Sequence, residues 1–296
     1  LFLATFKEGY TGFYNPHIDG YKGYTPFLDS LLAQSVTYTH SFASGRKSID
    51  AMLSVLSSIP MLIEPYIVTP YSTNAVSSLA ACLKEEGYAT AFFHGAPNGS
   101  MGFQAYARSA GFEQYFGMDE YNGIEAFDGT WAIWDEEFLQ YYARTMSQMQ
   151  EPFMTAVFTA SSHHPFRVPE RYEGVFPNGE KPIHPCVGYT DHALRKFFEY
   201  AQKQDWYDNT LFIITADHTN QVTLPQYATA KGLFEVPIAF YSQQLEQGVF
   251  HEQGTVSQTD IMPSVLAYLG YQKPFFAFGE DALTRAKKHP WAVCYN

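Results

Sequence analysis

Four short stretches of this 296-residue chain carry residue types able to do chemistry. The apolar run Thr210-Leu211-Phe212-Ile213-Ile214-Thr215 ends on Ala216-Asp217-His218, which puts an acid and an imidazole at the carboxyl end of a strand. Such a pair binds a hard or borderline divalent cation through oxygen and nitrogen. The same residues also suit a surface turn in which Asp217 caps a helix. In Ser44-Gly45-Arg46-Lys47-Ser48-Ile49-Asp50, a small-residue turn with two cations leads into a helical pattern. A hydroxyl at a helix N-terminus sits in positive potential, which favours a bound phosphate or sulfate and eases formation of an alkoxide, so Ser48 is a candidate nucleophile. Its alternative is an ordinary helix N-cap with Asp50 in the first turn. Lys47 and Arg46 either screen a substrate anion or belong to a solvated turn.

The third stretch is Thr159-Ala160-Ser161-Ser162-His163-His164-Pro165-Phe166, again directly after an apolar run. Adjacent side chains point in different directions, so one of the two histidines faces a site and the other is structural or solvated. The fourth is Phe92-Phe93-His94-Gly95, a strand ending in a His-Gly turn, where a lone histidine is either a ligand contact or a hydrogen-bonded structural residue.

The elements that must position these residues are legible as alternation. Short β-rich apolar runs at Leu1 to Phe6, Ala89 to Phe93, Phe153 to Thr159, Thr210 to Thr215 and Val236 to Tyr241 read as buried parallel strands. Helical spacing occupies Pro26 to Leu32, Ile49 to Leu56, Val76 to Glu86, Ala193 to Gln202 and Asp260 to Leu269. The pattern predicts one α/β domain over residues 1–296, a doubly wound, mostly parallel sheet covered on both faces, with ligands at the carboxyl ends of its strands. Pro165 to Pro185 reads as a long surface excursion.

Composition narrows the partners. A net charge of -12 opposes a nucleic-acid ligand, whose phosphates attract basic surfaces. Hydrophobic residues at 46% and charged residues at 16% belong to a folded globular chain. Cys82, Cys186 and Cys294 lack metal-ligand spacing and allow at most one disulfide. The opening Leu1-Phe2-Leu3-Ala4-Thr5-Phe6 reads as the tail of a buried strand, so a preceding segment is expected.

Taken in order, these pieces resemble the sulfatase-like catalytic domain of the lipoteichoic acid synthase family, within the alkaline phosphatase superfamily. The matching stretches are Tyr24-Thr25-Pro26-Phe27-Leu28-Asp29-Ser30-Leu31, Gly45-Arg46-Lys47-Ser48-Ile49-Asp50, Phe93-His94-Gly95, Ser161-Ser162-His163-His164-Pro165-Phe166, Thr215-Ala216-Asp217-His218 and Thr259-Asp260-Ile261-Met262-Pro263. The resemblance implies an alkaline-phosphatase-like fold with a small C-terminal antiparallel part. It also implies Ser48 as nucleophile in phosphoryl transfer and a divalent metal (Mn2+, Mg2+ or Zn2+) held by Ser48, Asp217 and His218. His163 is implied to contact the substrate phosphate or protonate the leaving group. From the residues themselves, Lys47, His94 and Asn98 are further candidate substrate contacts. The expected activities are those of phosphoglycerol or phosphoethanolamine transferases, acting on a phospholipid headgroup or glycan. Membrane helices precede the domain in that family, so an extracytoplasmic location and a membrane anchor are expected.

Departures from the family pattern are equally specific. Where the family has a metal-binding Glu at the end of the first strand, this chain has Ala4, with Glu8 four positions on. Loss of that ligand opens a second reading, a catalytically silent anion-binding module. The Trp and Arg that hold glycerol phosphate are absent from Ala96-Pro97-Asn98-Gly99-Ser100-Met101-Gly102-Phe103, where Asn98 and Ser100 suit either a different headgroup or a turn. A sulfatase of the formylglycine type would need Cys/Ser-x-Pro-x-Arg, and Ser48-Ile49-Asp50-Ala51-Met52 has neither Pro nor Arg. Trp131, Trp134 and Asp135 are read as packing near the cleft, Asp191 as a cap of the following helix, and Asp260 as structural.

Overall fold

The computed structural model describes every residue except Thr5, Lys7, Thr73, Glu252, Gln253 and Asn296, together with the side chain of Ala4. In chain order the strands are β1 (Phe2–Ala4), β2 (Val36–Tyr38), β3 (Ser41–Phe42), β4 (Ala89–His94), β5 (Gln114–Phe116), β6 (Phe153–Phe158), β7 (Phe212–Ala216), β8 (Ile238–Tyr241), β9 (Phe250–His251) and β10 (Val256–Ser257). Eight of them form one sheet in the order β5-β4-β6-β1-β7-β8-β2-β9, and β10 pairs with β3 beside it. All five expected strands are present. Four are parallel neighbours, β4-β6-β1-β7, but the fifth, β8, runs antiparallel to both β7 and β2. The antiparallel part, built on β8 in the C-terminal part of the chain, lies inside the main sheet.

The helices are α1 (Pro26–Leu32), α2 (Ser48–Ser57), α3 (Leu79–Lys84), α4 (Phe103–Ser109), α5 (Met118–Tyr121), α6 (Asp135–Met146), α7 (Ile183–Ala201) and α8 (Ile261–Tyr268). Alternation along the strands sends successive side chains to opposite faces. Leu3, Phe92, Phe158, Ile213 and Phe240 pack with α2, α3, α4 and α8. Phe2, Phe93, Val157, Ile214 and Tyr241 pack with α1, α6 and α7. Both faces are thus covered, as the near-continuous apolar runs require. Helix α7 begins at Ile183, inside the stretch expected to be all excursion. Pro185 is tolerated there because its position in the first turn has no intrahelical N–H bond to lose.

Among the described residues, no helix is long and apolar enough to cross a membrane. The cysteines are unpaired, with Cys82 and Cys186 buried.

Two buried carboxylates tie the layers together. Asp191 lies in the middle of α7 and does not cap its own helix. Its oxygens accept from the backbone N–H groups of Phe27 (3.0 Å) and Leu28 (2.7 Å), so it caps α1 from a neighbouring helix. Asp260 accepts from Ser257 N (2.7 Å), Glu280 N (2.8 Å) and the Lys287 ammonium (2.7 Å), joining the C-terminal segment to the turn before α8. Asp191→Ala should cost about 1–2 kcal/mol of stability in urea denaturation, the usual value of a lost helix cap, with both N–H groups left without their acceptor. An unchanged midpoint would show that water replaces the carboxylate.

Candidate active site

Register brings the candidate stretches to one rim. Leu3 pairs with Phe158 and Thr215, Ala4 with Ala216, and His94 with Phe158, so four adjacent parallel strands end at one level. Their last residues include His94 and position 4, and the segments that follow carry Ser161 to His164 and Asp217-His218. Helix α2 supplies Ser48 from the same end.

Ser48 is the first residue of α2, and Lys47 occupies the N-cap position. The Ser48 hydroxyl therefore does not cap its helix. It donates to Asp217 Oδ2 at 2.6 Å and lies 3.4 Å from His218 Nε2. Capping falls instead to Asp50, whose carboxylate accepts from Lys47 N at 3.1 Å. A Cβ on Gly45 would collide with that carboxylate, which explains the glycine in the turn. Asp217 is 1% exposed and no helix starts on it, so the helix-capping alternative is not what the fold uses.

His218 Nδ1 is 2.7 Å from the Thr219 carbonyl, a contact favourable only if Nδ1 carries a proton. The lone pair on Nε2 would then face Asp217 Oδ2 at 3.3 Å. Two acceptors this close require a proton or a cation between them. Asp217 Oδ1 is buried and has no hydrogen-bond partner, a further oxygen ready for a cation. The separations of 2.6, 3.3 and 3.4 Å among Ser48 Oγ, Asp217 Oδ2 and His218 Nε2 match three corners around an ion with bonds of about 2.1 Å. These residues fit a divalent metal as a three-donor site.

Among the described residues, no further carboxylate or imidazole joins them. Position 4 pairs with Ala216, one residue before Asp217, and alanine offers no donor atom there. Glu8 does not substitute for it. It is buried against Ser41, whose hydroxyl contacts Glu8 Oε1 at 3.3 Å, and burial followed by repulsion from Glu235 raises its pKa well above the usual carboxylate range. Among the described residues, no three His, Cys, Asp or Glu side chains converge as a metal cage would need.

Sequence reasoning missed the residue that locks this arrangement. Gln258 is fully buried and donates through Nε2 to the carbonyls of both Ala216 and Asp217, each at 2.8 Å. Its Oε1 accepts from Ser44 N at 3.1 Å. One amide thus joins the end of β7 to the turn that presents Ser48. A glutamine in an apolar, Ser/Thr-rich context carries no pattern that distinguishes this role from a surface one.

The sulfatase family model matches residues 7–271. The chain belongs to the sulfatase family. Relatives include the lipoteichoic acid synthase-like YvgJ of Bacillus subtilis (strain 168), 23% identical over 95% of this chain and 49% of that protein. Lipoteichoic acid synthase 2 of the same organism is 25% identical over 90% of this chain and 44% of that protein. The chain spans about half the length of these relatives. Solved structures with the same fold include an alkaline phosphatase superfamily protein from Vibrio parahaemolyticus (TM-score 0.84, 24% identity, 97% of this chain and 69% of that one). The lipoteichoic acid synthase LtaP from Listeria monocytogenes is another (TM-score 0.83, 21% identity, 96% and 75%). The alkaline-phosphatase-like α/β fold expected from the sequence is thereby established.

Within this sulfatase-family rim, the remaining expected residues fare differently. His163 Nδ1 lies 3.1 Å from the Ala160 carbonyl and its ring faces Trp131 at 5.7 Å. No hydrogen bond among the described residues joins it to Ser48, Asp217 or His218. The turn that carries it is held by Asp135, whose Oδ1 accepts from Ala160 N (2.9 Å) and Ser161 N (3.2 Å) and whose Oδ2 accepts from Thr190 (2.8 Å). Asp135 thus positions the His163 turn, a role beyond the packing expected of it. His94, expected on the substrate, is 1% exposed, with its ring against Phe103 and Phe158. Asn98 directs its amide to Glu120 at 3.0 and 3.1 Å, the turn-forming alternative.

Two measurements follow from this geometry. Gln258→Leu removes three hydrogen bonds and leaves two buried carbonyls and one N–H unpaired, so stability should fall by about 1–3 kcal/mol in chemical denaturation. A neutral result would mean the rim is held by packing alone. Burial, and then the charge of nearby His163, pushes the His94 imidazole down to about 3. Between that value and the ordinary value near 6.5, the unfolded chain binds a proton that the folded chain does not. This contribution to stability is present above pH ~6.5 and is lost as pH falls towards 3, at about 1.4 kcal/mol per pH unit. His94→Gln should flatten that limb of a stability-versus-pH curve, and an unaltered slope would contradict the burial argument.

Proposed function

We propose that this chain is the catalytic domain of a metal-dependent phosphotransferase or phosphodiesterase that works through a covalent intermediate on Ser48. The observation that carries the reading is the Ser48 hydroxyl donating to Asp217 at 2.6 Å, with His218 Nε2 at 3.4 Å. Ser48 Oγ attacks phosphorus and the bond from phosphorus to the ester oxygen breaks. The Ser48 proton passes to Asp217 Oδ2, and the departing oxygen takes a proton from His163 or from water. Water or a hydroxyl acceptor then attacks phosphorus and gives its proton to His163 or to water, the bond from phosphorus to Ser48 Oγ breaks, Asp217 returns its proton to Oγ, and phosphate or the new phosphate ester leaves. A divalent ion held by Ser48, Asp217 and His218, when bound, would lower the pKa of the hydroxyl and offset charge on the phosphoryl oxygens. The expected metals are manganese and magnesium, with zinc as the third choice.

Support for a phospholipid-headgroup or glycan substrate, for an extracytoplasmic location and for a membrane anchor preceding the domain comes from likeness to the lipoteichoic acid synthases. A sulfate ester is the alternative that the family name raises, and the unmodified setting of Ser48 favours phosphate. Ala4 favours a second reading, an anion-binding module without turnover, because its place opposite Ala216 is where a further donor would stand.

With bis(p-nitrophenyl) phosphate and manganese, the protein should show turnover that Ser48→Ala lowers by at least about a thousandfold. Ala4→Glu should tighten manganese binding by roughly tenfold or more, measured by calorimetry in the absence of substrate. Turnover indifferent to Ser48 would remove the nucleophile from the proposal. Stoichiometric phosphate binding without turnover would establish the silent module.

A further inference from the structure

We infer that the oxygen cluster formed by Glu8, Tyr14, Thr37 and Ser41, separate from the Ser48 machinery, is a binding site for a monovalent alkali cation. Glu8 is 3% exposed. Among the described residues its carboxyl has one polar side-chain contact, Oε1 to Ser41 Oγ at 3.3 Å. The single hydroxyl proton of Ser41 is already engaged, because Ser41 Oγ donates to the Val236 carbonyl at the shorter distance of 2.7 Å. The Glu8 carboxylate thus faces a lone pair instead of a donor. Two such oxygens repel unless a positive charge stands between them, and a buried carboxylate without donors is costly.

Further oxygens crowd the same place. The Tyr14 hydroxyl lies beside those of Thr37 and Ser41, and burial followed by the charge of Glu8 keeps the Tyr14 phenol protonated to well above its usual range. Tyr14 Oη and Thr37 Oγ1 are both removed from water, yet neither has a hydrogen-bond partner among the described residues. One carboxylate and three hydroxyls therefore bring more lone pairs than protons, which is the chemistry that holds a hard cation. Charge sets the valence. Glu235 is the other carboxylate that Glu8 feels, and Lys231 meets it at 3.3 Å. Tyr227 also faces Glu8 and stays neutral, its pKa raised by burial and then by that carboxylate. One negative charge is left, which one monovalent ion balances. A proton can take the same place, since burial and then Glu235 raise the Glu8 pKa well above the usual carboxylate range. Proton and alkali cation consequently compete for Glu8.

The test compares thermal unfolding midpoints of the intact chain in sodium, potassium and N-methylglucamine chloride at equal ionic strength. At about pH 8 and about 150 mM salt, sodium or potassium should raise the midpoint by at least ~2 °C over N-methylglucamine. A carboxyl whose folded pKa is raised loses stability as pH climbs above its ordinary value near 4.3, and the alkali ion offsets that loss. The advantage of sodium or potassium should therefore vanish towards about pH 5. Glu8→Gln keeps the shape and removes the charge, so its midpoint should be the same in all three salts. Thr37→Val keeps the shape and removes one oxygen, and should at least halve the rise. Broadening of the sodium-23 NMR line by the native chain, relieved by potassium, gives a readout that needs no variant to fold. Equal midpoints in the three salts with no sodium-23 broadening overturn the site. So does a rise that Glu8→Gln retains, or one that calcium produces and sodium and potassium do not.

Discussion

The molecule is organised around a buried carboxylate that cannot be left alone. Asp217 is almost wholly removed from water, one of its oxygens has no partner, and the other faces both a serine hydroxyl and an imidazole nitrogen. Desolvation of an isolated carboxylate costs several kcal/mol, and here the Ser48 hydroxyl and the His218 imidazole meet it. The parallel sheet makes the placement possible. With β1 between β6 and β7, the strand ends form a floor, and Asp217 stands on it where α2 meets it with positive N-terminal potential.

Loops at such a rim lack ladder partners, and here buried polar side chains replace them. Gln258 ties the end of β7 to the Ser44 turn, Asp135 ties the turn after β6 to α6 and α7, and Asp260 anchors the segment that follows α8. Each engages several donors or acceptors at once, as buried polar groups must. The geometry of the rim therefore depends in part on side chains, Gln258 and Asp135, that lie outside the stretches matching the family.

Membership of the sulfatase family accounts for the frame and for the order of the motifs, but this chain differs where ligands are selected. Alanine stands at the first-strand position, and the segment after His94 is apolar, with Met101 on the groove and Phe103 in the core. Both differences fall on the same rim. Position 4 pairs with Ala216, next to Asp217, and Met101 shares a groove with Lys47 and Ser48.

By itself the sequence determined the layered α/β fold, because runs with a period of two and of 3.6 can bury themselves only as strands and helices in alternation. It also determined that Asp217, His218 and His94 end up at strand termini, since each directly follows or closes an apolar run, and that His163 lies in the turn after another. Tertiary structure alone decided the direction of β8, which depends on how the chain returns after residue 217 and not on the apolar run itself. It decided that Ser48 serves Asp217 and not its own helix, and that Asp191 caps α1 and not α7. It also decided that Glu8 turns to Ser41 and that Gln258 closes the rim. Those outcomes rest on polar contacts between residues 33 to 214 positions apart, and local pattern cannot report which distant partner will meet a polar side chain once the core has formed.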